Sequence, residues 1–213
     1  MLNRLICLIL GYFIGAIIQT GFWIGKFNHI DIRDYGSGNA GTTNTMRTLG
    51  KKAGFITYFM DAFKSCITAL IIHFIYGSNA DISEMLLILY GGFGVVLGHN
   101  FPFYLGFKGG KGVATSLGIL LMTNWQLGLI CLVFALVLMA LTRVVSMGSI
   151  AAAILYPILT LFVGGGHYIV ESSGLGNGYF IYSVILAVIV IFNHRENIKR
   201  ILSGTENKIS FNK

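Results

Sequence analysis

The sequence is poor in charged residues and in cysteine. Only 11% of its 213 residues are Asp, Glu, Lys or Arg, against roughly a quarter in an ordinary soluble domain. This scarcity excludes an ordinary soluble globular protein. The three cysteines, Cys7, Cys66 and Cys131, all lie in apolar stretches, and none forms a C-x-x-C pair. We interpret them as small buried residues and not as redox or metal-binding groups.

Three signals of other protein classes are also missing. The first apolar segment follows Arg4 without an A-x-A-like cleavage site, which favours a retained helix over a signal peptide. The run from Gly106 to Gly112 is one residue short of a Walker motif and has no Ser or Thr after Lys111, which argues against a nucleoside triphosphatase. No internal repeat is visible, which argues against a transporter built from two inverted halves.

Apolar sequence dominates what is present, because 55% of the residues are hydrophobic. A helix needs about 20 residues to cross the hydrocarbon core of a bilayer. Seven segments are candidates to do so: 4–25, 53–77, 85–105, 112–124, 125–142, 146–164 and 179–193. They leave room only for short loops. The sequence predicts an all-α polytopic integral membrane protein with about seven transmembrane helices, forming a single domain over residues 1–213.

The distribution of basic residues predicts the orientation of this protein. With seven spans, nearly all of the 15 Lys and Arg residues fall in loops on one side, whereas the other side receives only Arg4. The positive-inside rule then places the N-terminus outside and the C-terminus in the cytoplasm. The outer loop from Gly164 to Gly178 contains no Lys or Arg and is interpreted as a plain connector.

The second inner loop, from Gly98 to Thr115, combines glycines with lysines between two apolar segments. Glycines let backbone N–H groups approach an anion, lysines neutralise it, and the following apolar stretch can offer a helix N-terminus. This predicts a phosphate site. Its candidate ligands are Lys108, Gly109, Gly110, Lys111 and Gly112. His99 is a candidate ligand, base or hydrogen-bonded anchor at a helix end, and the anchor is preferred.

The first inner loop, from Ser37 to Arg47, is a dense cluster of small hydroxyls and amides that ends in a guanidinium. Such groups hydrogen-bond hydroxyls and phosphate oxygens, and arginine can bind a phosphate through two parallel bonds. The alternative is that Ser, Asn and Gly here form turns and caps. The candidate binding residues are Ser37, Asn39, Gly41, Thr43, Asn44 and Arg47.

The remaining inner loops supply candidates for the reacting centre. Ser146 and Ser149 either cap the following helix or point into a site, and capping is the default for such serines. His194 and Asn197 are three residues apart and would share a face of a continuing helix. Because histidine titrates near neutral pH, His194 is the natural candidate to take a proton or orient a hydroxyl.

Two charged residues lie inside the second apolar segment. Asp61 and Lys64 are three residues apart, and charges at such depth are costly unless they are paired or functional. The sequence leaves two interpretations open: a structural ion pair, or a support for the polar site.

Taken together, the four inner-loop motifs resemble the acyl-phosphate:glycerol-3-phosphate acyltransferase family of the bacterial PlsY type. The resemblance implies a seven-helix membrane enzyme that moves an acyl group from acyl-phosphate to the 1-hydroxyl of glycerol 3-phosphate. The products would be lysophosphatidic acid and inorganic phosphate, and no cofactor, metal, coenzyme A or acyl carrier protein would be needed. The matching runs are Ser37 to Arg47, Gly98 to Thr115, Val145 to Ser149 and His194 to Glu206.

The resemblance also implies roles for particular residues. Phosphates would be held by Ser37, Arg47, Lys108 and Lys111, with the Gly109 to Gly112 backbone cradling one of them. The reacting centre would be lined by Ser146, His194 and Asn197. The expected partners are acyl-phosphate and glycerol 3-phosphate as substrates and the lipid bilayer, with no nucleic acid and no obligate protein partner. The expected location is the bacterial cytoplasmic membrane, with the active site on the cytoplasmic side.

Two alternatives remain open at this stage. A transporter of an organic phosphate would also place basic residues near membrane spans. An acyltransferase with a thioester donor would use the H-x-x-x-x-D pattern from His29 to Asp34. We discount that pattern, because its chance occurrence in a chain with this many His and Asp residues is about one in ten.

Overall fold

The computed structural model describes residues 1–78, 83–164 and 178–209, and all regular structure in these ranges is helical. Two single 3₁₀ turns occupy Ile32–Asp34 and Phe103–Leu105. The predicted all-α class is confirmed, and the expected connector at residues 165–177 lies outside the described residues. The α-helices are α1 Leu2–Ile17, α2 Thr20–Phe27, α3 Thr42–Leu49, α4 Lys51–Tyr76, α5 Glu84–Asn100, α6 Val113–Thr123, α7 Trp125–Thr142, α8 Val145–Gly164, α9 Gly178–Asn193 and α10 Arg195–Leu202.

Several of these helices are long and apolar enough to cross a membrane, so the protein is an integral membrane protein. Over the described ranges, the stretches that qualify number five, or six if the bent pair α9 and α10 is one span. The sequence predicts seven. The predicted span at residues 112–124 is not among the five, because it corresponds to α6, whose 11 residues rise only about 16 Å at 1.5 Å per residue. The five are Leu2–Phe27, Lys51–Tyr76, Glu84–Leu105, Trp125–Thr142 and Val145–Phe162.

The chain divides into two compact units, Met1–Thr123 and Asn124–Lys213. In the first unit, α1 packs closely along α5. Glycines permit this approach, because a Cβ on Gly11 would overlap the carbonyl of Gly91, and a Cβ on Gly98 would overlap the carbonyl of Tyr12. Such small-residue contacts are typical of helices packed in a membrane.

The first membrane stretch is broken between α1 and α2. Side chains from elsewhere in the unit bind the carbonyl groups that the break releases. The Ile18 carbonyl accepts from Lys64 Nζ at 2.7 Å, and the Ala16 carbonyl accepts from the Tyr104 hydroxyl at 3.0 Å. Trp23 Nε1, on α2, donates to the Ile17 carbonyl at 2.9 Å. These bonds satisfy backbone groups for which hydrocarbon offers no partner.

In the second unit, α8 packs against both α7 and α9. A Cβ on Gly148 would come within 2.6 Å of Met139 on α7, so this glycine allows close packing of α7 and α8. Between α8 and α9, the hydroxyls of Thr160 and Ser183 share a hydrogen bond of 2.9 Å. The axes of α9 and α10 differ by 61°, and His194 lies at this bend.

Candidate active site

Asn44 organises the first polar loop. Its Oδ1 accepts from the Ser37 N–H at 2.8 Å, and its Nδ2 donates to the carbonyls of Ile32 at 2.9 Å and Tyr35 at 3.0 Å. The residue is only 2% exposed, and Gly36 adopts a φ of +60° directly against Oδ1. Asn44, predicted as a phosphate ligand, therefore has its side chain bound to the loop that carries Ser37.

Other predicted residues of this loop lie on or next to α3. Thr43 and Arg47 are four residues apart on α3, so they share a face of that helix. Ser37 and Arg47 are exposed, whereas Gly41 and Thr43 are half-buried. This loop can therefore present a hydroxyl and a guanidinium to an anion.

Asn39 connects the first polar loop to the glycine loop. Its Nδ2 donates to the Gly109 carbonyl at 3.0 Å across 70 residues of sequence, while its Oδ1 accepts from the Gly41 N–H at 3.0 Å. A second connection comes from Arg33, whose Nη1 donates to the Leu105 carbonyl at 2.9 Å. The two motifs that the sequence assigned to phosphate binding are thus neighbours.

Asp31 holds Arg33 in place for this second connection. The carboxylate accepts from Arg33 Nε at 3.0 Å and from Nη2 at 2.8 Å. The hydrogen bond from the Arg33 side chain lowers the pKa of Asp31 to about 2. The pair is therefore charged at neutral pH, and it fixes the guanidinium that reaches the glycine loop.

The glycine loop folds back onto the end of α5. The Gly109 N–H donates to the Asn100 carbonyl at 3.1 Å, and the Gly110 N–H donates to the His99 carbonyl at 3.0 Å. The expectation that the whole Gly109 to Gly112 backbone cradles a phosphate is therefore wrong for two of its N–H groups. These two donors stabilise the loop itself.

The N–H groups of this region that could serve an anion are instead at the start of α6. Its first helical bond runs from the Ser116 N–H to the Gly112 carbonyl at 2.8 Å, so the N–H groups just before Ser116 precede the helical ladder. A helix N-terminus with such donors favours an anion. Gly112 has a φ of +85°, and the nearby Lys108 is exposed while Lys111 is half-buried.

His99 is the buried anchor that the sequence favours. It is 3% exposed, and its backbone carbonyl also accepts from Gln19 Nε2 at 2.9 Å. Its ring Nδ1 lies 2.7 Å from Lys64 Nζ, which in turn lies 2.9 Å from Asp61 Oδ1. Asp61 and Lys64 are therefore both an ion pair and part of a network that reaches the glycine loop.

In the second unit, Glu206 gathers two of the three predicted catalytic residues. Its Oε1 accepts from the Ser146 hydroxyl at 2.9 Å and from Asn197 Nδ2 at 2.6 Å, and its Oε2 accepts from Arg200 Nε at 2.7 Å. Ser146 therefore does not merely cap a helix. By contrast, the Ser149 hydroxyl donates to the Val145 carbonyl within α8 at 3.1 Å.

The environment of Glu206 keeps it ionised. Burial acts to raise its pKa, but the hydrogen bonds from Asn197, Arg200 and Ser146 outweigh that effect, so the pKa is lowered overall. The sequence reasoning missed this residue as a member of the site. Its only signal was its place at the end of the matching run from His194, because no spacing rule joins positions 146, 197 and 206.

His194 lies at the junction of α9 and α10 and is 2% exposed. The expected continuing helix is wrong here, because α9 ends at Asn193 and α10 starts at Arg195. Its ring Nδ1 lies 2.8 Å from the Val190 carbonyl. A carbonyl only accepts, so Nδ1 carries the hydrogen, and in the neutral ring Nε2 is then the acceptor. This tautomer suits a group that binds a hydroxyl hydrogen.

The predicted site residues thus form two groups, one in each unit. The first holds the phosphate-binding candidates on two connected loops, and the second holds Ser146, His194 and Asn197 around the ends of α8, α9 and α10. Together with the membrane-spanning helices, these polar groups define the class of polytopic membrane proteins that carry a polar site.

Comparison with known proteins narrows this class to one family. The family described as "Glycerol-3-phosphate acyltransferase" matches residues 5–204. The glycerol-3-phosphate acyltransferase of Fusobacterium nucleatum is 43% identical over 205 residues, which is 96% of this chain and 97% of that protein. The one of Streptococcus thermophilus is 41% identical over 209 residues, covering 97% and 93%. The chain belongs to the glycerol-3-phosphate acyltransferase family, and it is an integral membrane enzyme.

Two solved structures have the same fold. The crystal structure of PlsY, an integral membrane glycerol 3-phosphate acyltransferase, in its glycerol 3-phosphate form superposes with a TM-score of 0.83. It is 34% identical and covers 97% of this chain and 96% of that one. The lysophosphatidic acid form of PlsY gives a TM-score of 0.80 at 33% identity, covering 97% and 95%. The family resemblance seen in the sequence is confirmed.

Proposed function

We propose that this enzyme transfers an acyl group from acyl-phosphate to the 1-hydroxyl of sn-glycerol 3-phosphate, as the first acylation step of phospholipid biosynthesis. The products are 1-acyl-glycerol 3-phosphate and inorganic phosphate. The observation that carries the proposal is the hydrogen bond from Asn39 to the Gly109 carbonyl. It joins two cation-bearing loops, and two phosphate-bearing substrates need two such loops side by side.

Each of the two loops would neutralise the phosphate of one substrate. Both substrates carry close to two negative charges, so their mutual repulsion has to be offset by fixed cations. Arg47 with Ser37 and Thr43 would hold one phosphate, and Lys108 and Lys111 with the N-terminus of α6 would hold the other. Each charge-assisted hydrogen bond contributes about 1.5 to 3 kcal/mol. Asn39, Gly41 and Asn44 would support this arrangement by fixing the loops.

The second group would serve the reacting centre. His194 Nε2 and Asn197 would orient the 1-hydroxyl of glycerol 3-phosphate, with Ser146 beside them. The hydroxyl oxygen bonds to the acyl carbonyl carbon, the acyl C–O bond to phosphate breaks, and the hydroxyl proton passes to a substrate phosphate. Because acyl-phosphate is a mixed anhydride with a good leaving group, positioning and electrostatic stabilisation suffice for this step.

The location follows from the charge distribution. We place the enzyme in the bacterial cytoplasmic membrane, with the N-terminus outside and the polar loops facing the cytoplasm, where the basic residues are concentrated. An acyl chain can then stay in the bilayer while its phosphate meets the soluble acceptor at the interface. The proposed chemistry calls on no metal and no cofactor.

The test is release of inorganic phosphate by the purified enzyme given palmitoyl phosphate and glycerol 3-phosphate, with each omitted in turn. Release that needs both, with an equal yield of lysophosphatidic acid, supports the proposal. Palmitoyl-coenzyme A is the matched donor control. Product formed from the thioester and not from palmitoyl phosphate would contradict the proposal and favour the thioester alternative. Family membership already favours an enzyme over the transporter alternative.

A further inference from the structure

Lys64 is a fully buried cation in the middle of α4. Its side chain is 0% exposed, and three groups surround its Nζ. The Ile18 carbonyl lies at 2.7 Å, Asp61 Oδ1 at 2.9 Å and His99 Nδ1 at 2.7 Å. Three partners match the three hydrogens of an ammonium group.

The proton shared by Lys64 and His99 belongs on Lys64. Free lysine is a stronger base than free histidine by about four pKa units. The Asp61 carboxylate also contacts Nζ directly, whereas it lies 3.8 Å from His99 Nδ1. The ammonium therefore donates to Nδ1, and the imidazole is neutral. A neutral imidazole that accepts at Nδ1 carries its own hydrogen on Nε2.

The Nε2 edge of His99 faces the glycine loop. A Cβ on Gly110 would overlap Nε2 and would lie 2.5 Å from Cε1 and 2.8 Å from Cδ2. Within the described ranges, the hydrogen bonds of the ring involve Nδ1, and Nε2 has no partner. Gly110, which has no side chain, thus leaves the Nε2 edge of His99 free of a side chain from this position, in the loop that also carries Lys108 and Lys111.

We infer that Lys64 is a positioning residue, which holds His99 in the Nε2–H tautomer so that His99 donates to a phosphate oxygen at the glycine loop. The inference rests on the proposed function of that loop. Asp61 neutralises the buried ammonium and so allows Lys64 to act at this depth. Either substrate can provide the phosphate oxygen, and the kinetic test below distinguishes them.

The first test reads the tautomer directly in the intact enzyme. Histidine ¹⁵N NMR is recorded on wild-type enzyme in lipid nanodiscs, and the His99 signals are assigned by their loss in His99→Gln. We expect an unprotonated Nδ1 and a protonated Nε2, with the Nε2 signal moving when a substrate phosphate binds there. An Nδ1–H tautomer or an imidazolium would overturn the inference. This readout does not depend on which acyl donor the enzyme uses.

The second test asks whether Lys64 acts through His99. The charge-neutral double substitution Asp61→Asn/Lys64→Met is introduced into the wild-type enzyme and, separately, into the His99→Gln variant. KM is then measured for each substrate in all four proteins. In the wild type we expect KM for one substrate to rise about ten- to a hundred-fold, the value of one charge-assisted bond. In the His99→Gln background we expect little further change.

Equal losses in both backgrounds would overturn the inference, because Lys64 would then act without His99. The substrate whose KM changes identifies the phosphate that His99 contacts. The matched control is Thr68→Val, a buried position one turn along α4 whose hydroxyl donates to the Lys64 carbonyl at 3.0 Å. It should leave both KM values and the tautomer unchanged. If the neutral variant does not fold, the wild-type spectrum still decides.

Discussion

Replacing Glu206 with Gln should destabilise the second unit by about 2 kcal/mol. The amide keeps one oxygen, which serves Ser146 and Asn197 best because two donors meet there. Its NH₂ then faces Arg200 Nε, so the charge-assisted bond of 2.7 Å is replaced by two opposed donors. Such a bond contributes about 1.5 to 3 kcal/mol. The Arg200 side chain is 35% exposed, and solvent screening favours the lower part of that range.

The assay is thermal unfolding of the purified enzyme in one detergent. For a chain of this size, about 2 kcal/mol corresponds to a fall in Tm of about 4 to 8 °C. The matched control is Glu196→Gln on α10, whose carboxylate is 58% exposed and pairs with Lys199 at 3.1 Å. It should change Tm by little, because solvent and salt screen an ion pair between two exposed side chains.

The pH dependence gives an independent check on the same carboxylate. The pKa of Glu206 is lowered in the folded protein, so its contribution is complete above its ordinary pKa of 4.5 and is lost as pH falls through the lowered value. The difference in Tm between wild type and Glu206→Gln should therefore narrow as the pH falls below about 4.5. If the Glu206→Gln variant had the same Tm as the wild type at neutral pH, the reasoning would be refuted.

Three further predictions concern catalysis. His194→Ala should lower kcat at least about ten-fold in a folded enzyme, because the attacking hydroxyl would lose a group that orients it and misplaced reacting atoms can cost about a hundred-fold; unchanged kcat would remove His194 from the reacting centre. Arg47→Ala and Lys111→Ala should mainly raise KM, by about ten-fold or more for one substrate each, and kinetics with KM and kcat both unchanged would exclude them from the site. Asn39→Ala should raise KM for both substrates, because it breaks the link to Gly109, and an effect on one substrate alone would show that the link does not position both loops.

The fold class and the polar loops could be predicted because they depend on the composition of short stretches of sequence. Apolar segments mark membrane helices, and the clusters ending at Arg47 and around Lys108 mark polar loops, for which we propose anion binding. The contact between those loops could not be predicted, since the bond from Asn39 to Gly109 spans 70 residues. Pairings at such separation depend on how α1 to α5 pack.

Other features were missed for more specific reasons. The predicted count of seven membrane-crossing helices is not confirmed, because hydropathy does not register that α6 has only 11 residues, and five or six stretches of the described residues are long and apolar enough. The bend at His194 escaped the helical spacing rule, which assumes a straight axis. The N–H groups of Gly109 and Gly110 were assigned to a ligand because glycines allow backbone N–H groups to approach an anion closely. The glycine-rich sequence does not show that these N–H groups already donate to the carbonyls of Asn100 and His99.

The break between α1 and α2 has a consequence for biosynthesis. The N-terminal segment enters the membrane before the rest of the chain is made, yet the carbonyls at its break are completed by Lys64 and Tyr104, which are synthesised later. Until those side chains arrive, these backbone groups need water or lipid headgroups as partners. The first segment can thus be inserted early, but it acquires its final shape only after α4 and the 3₁₀ turn at Phe103–Leu105 have joined it.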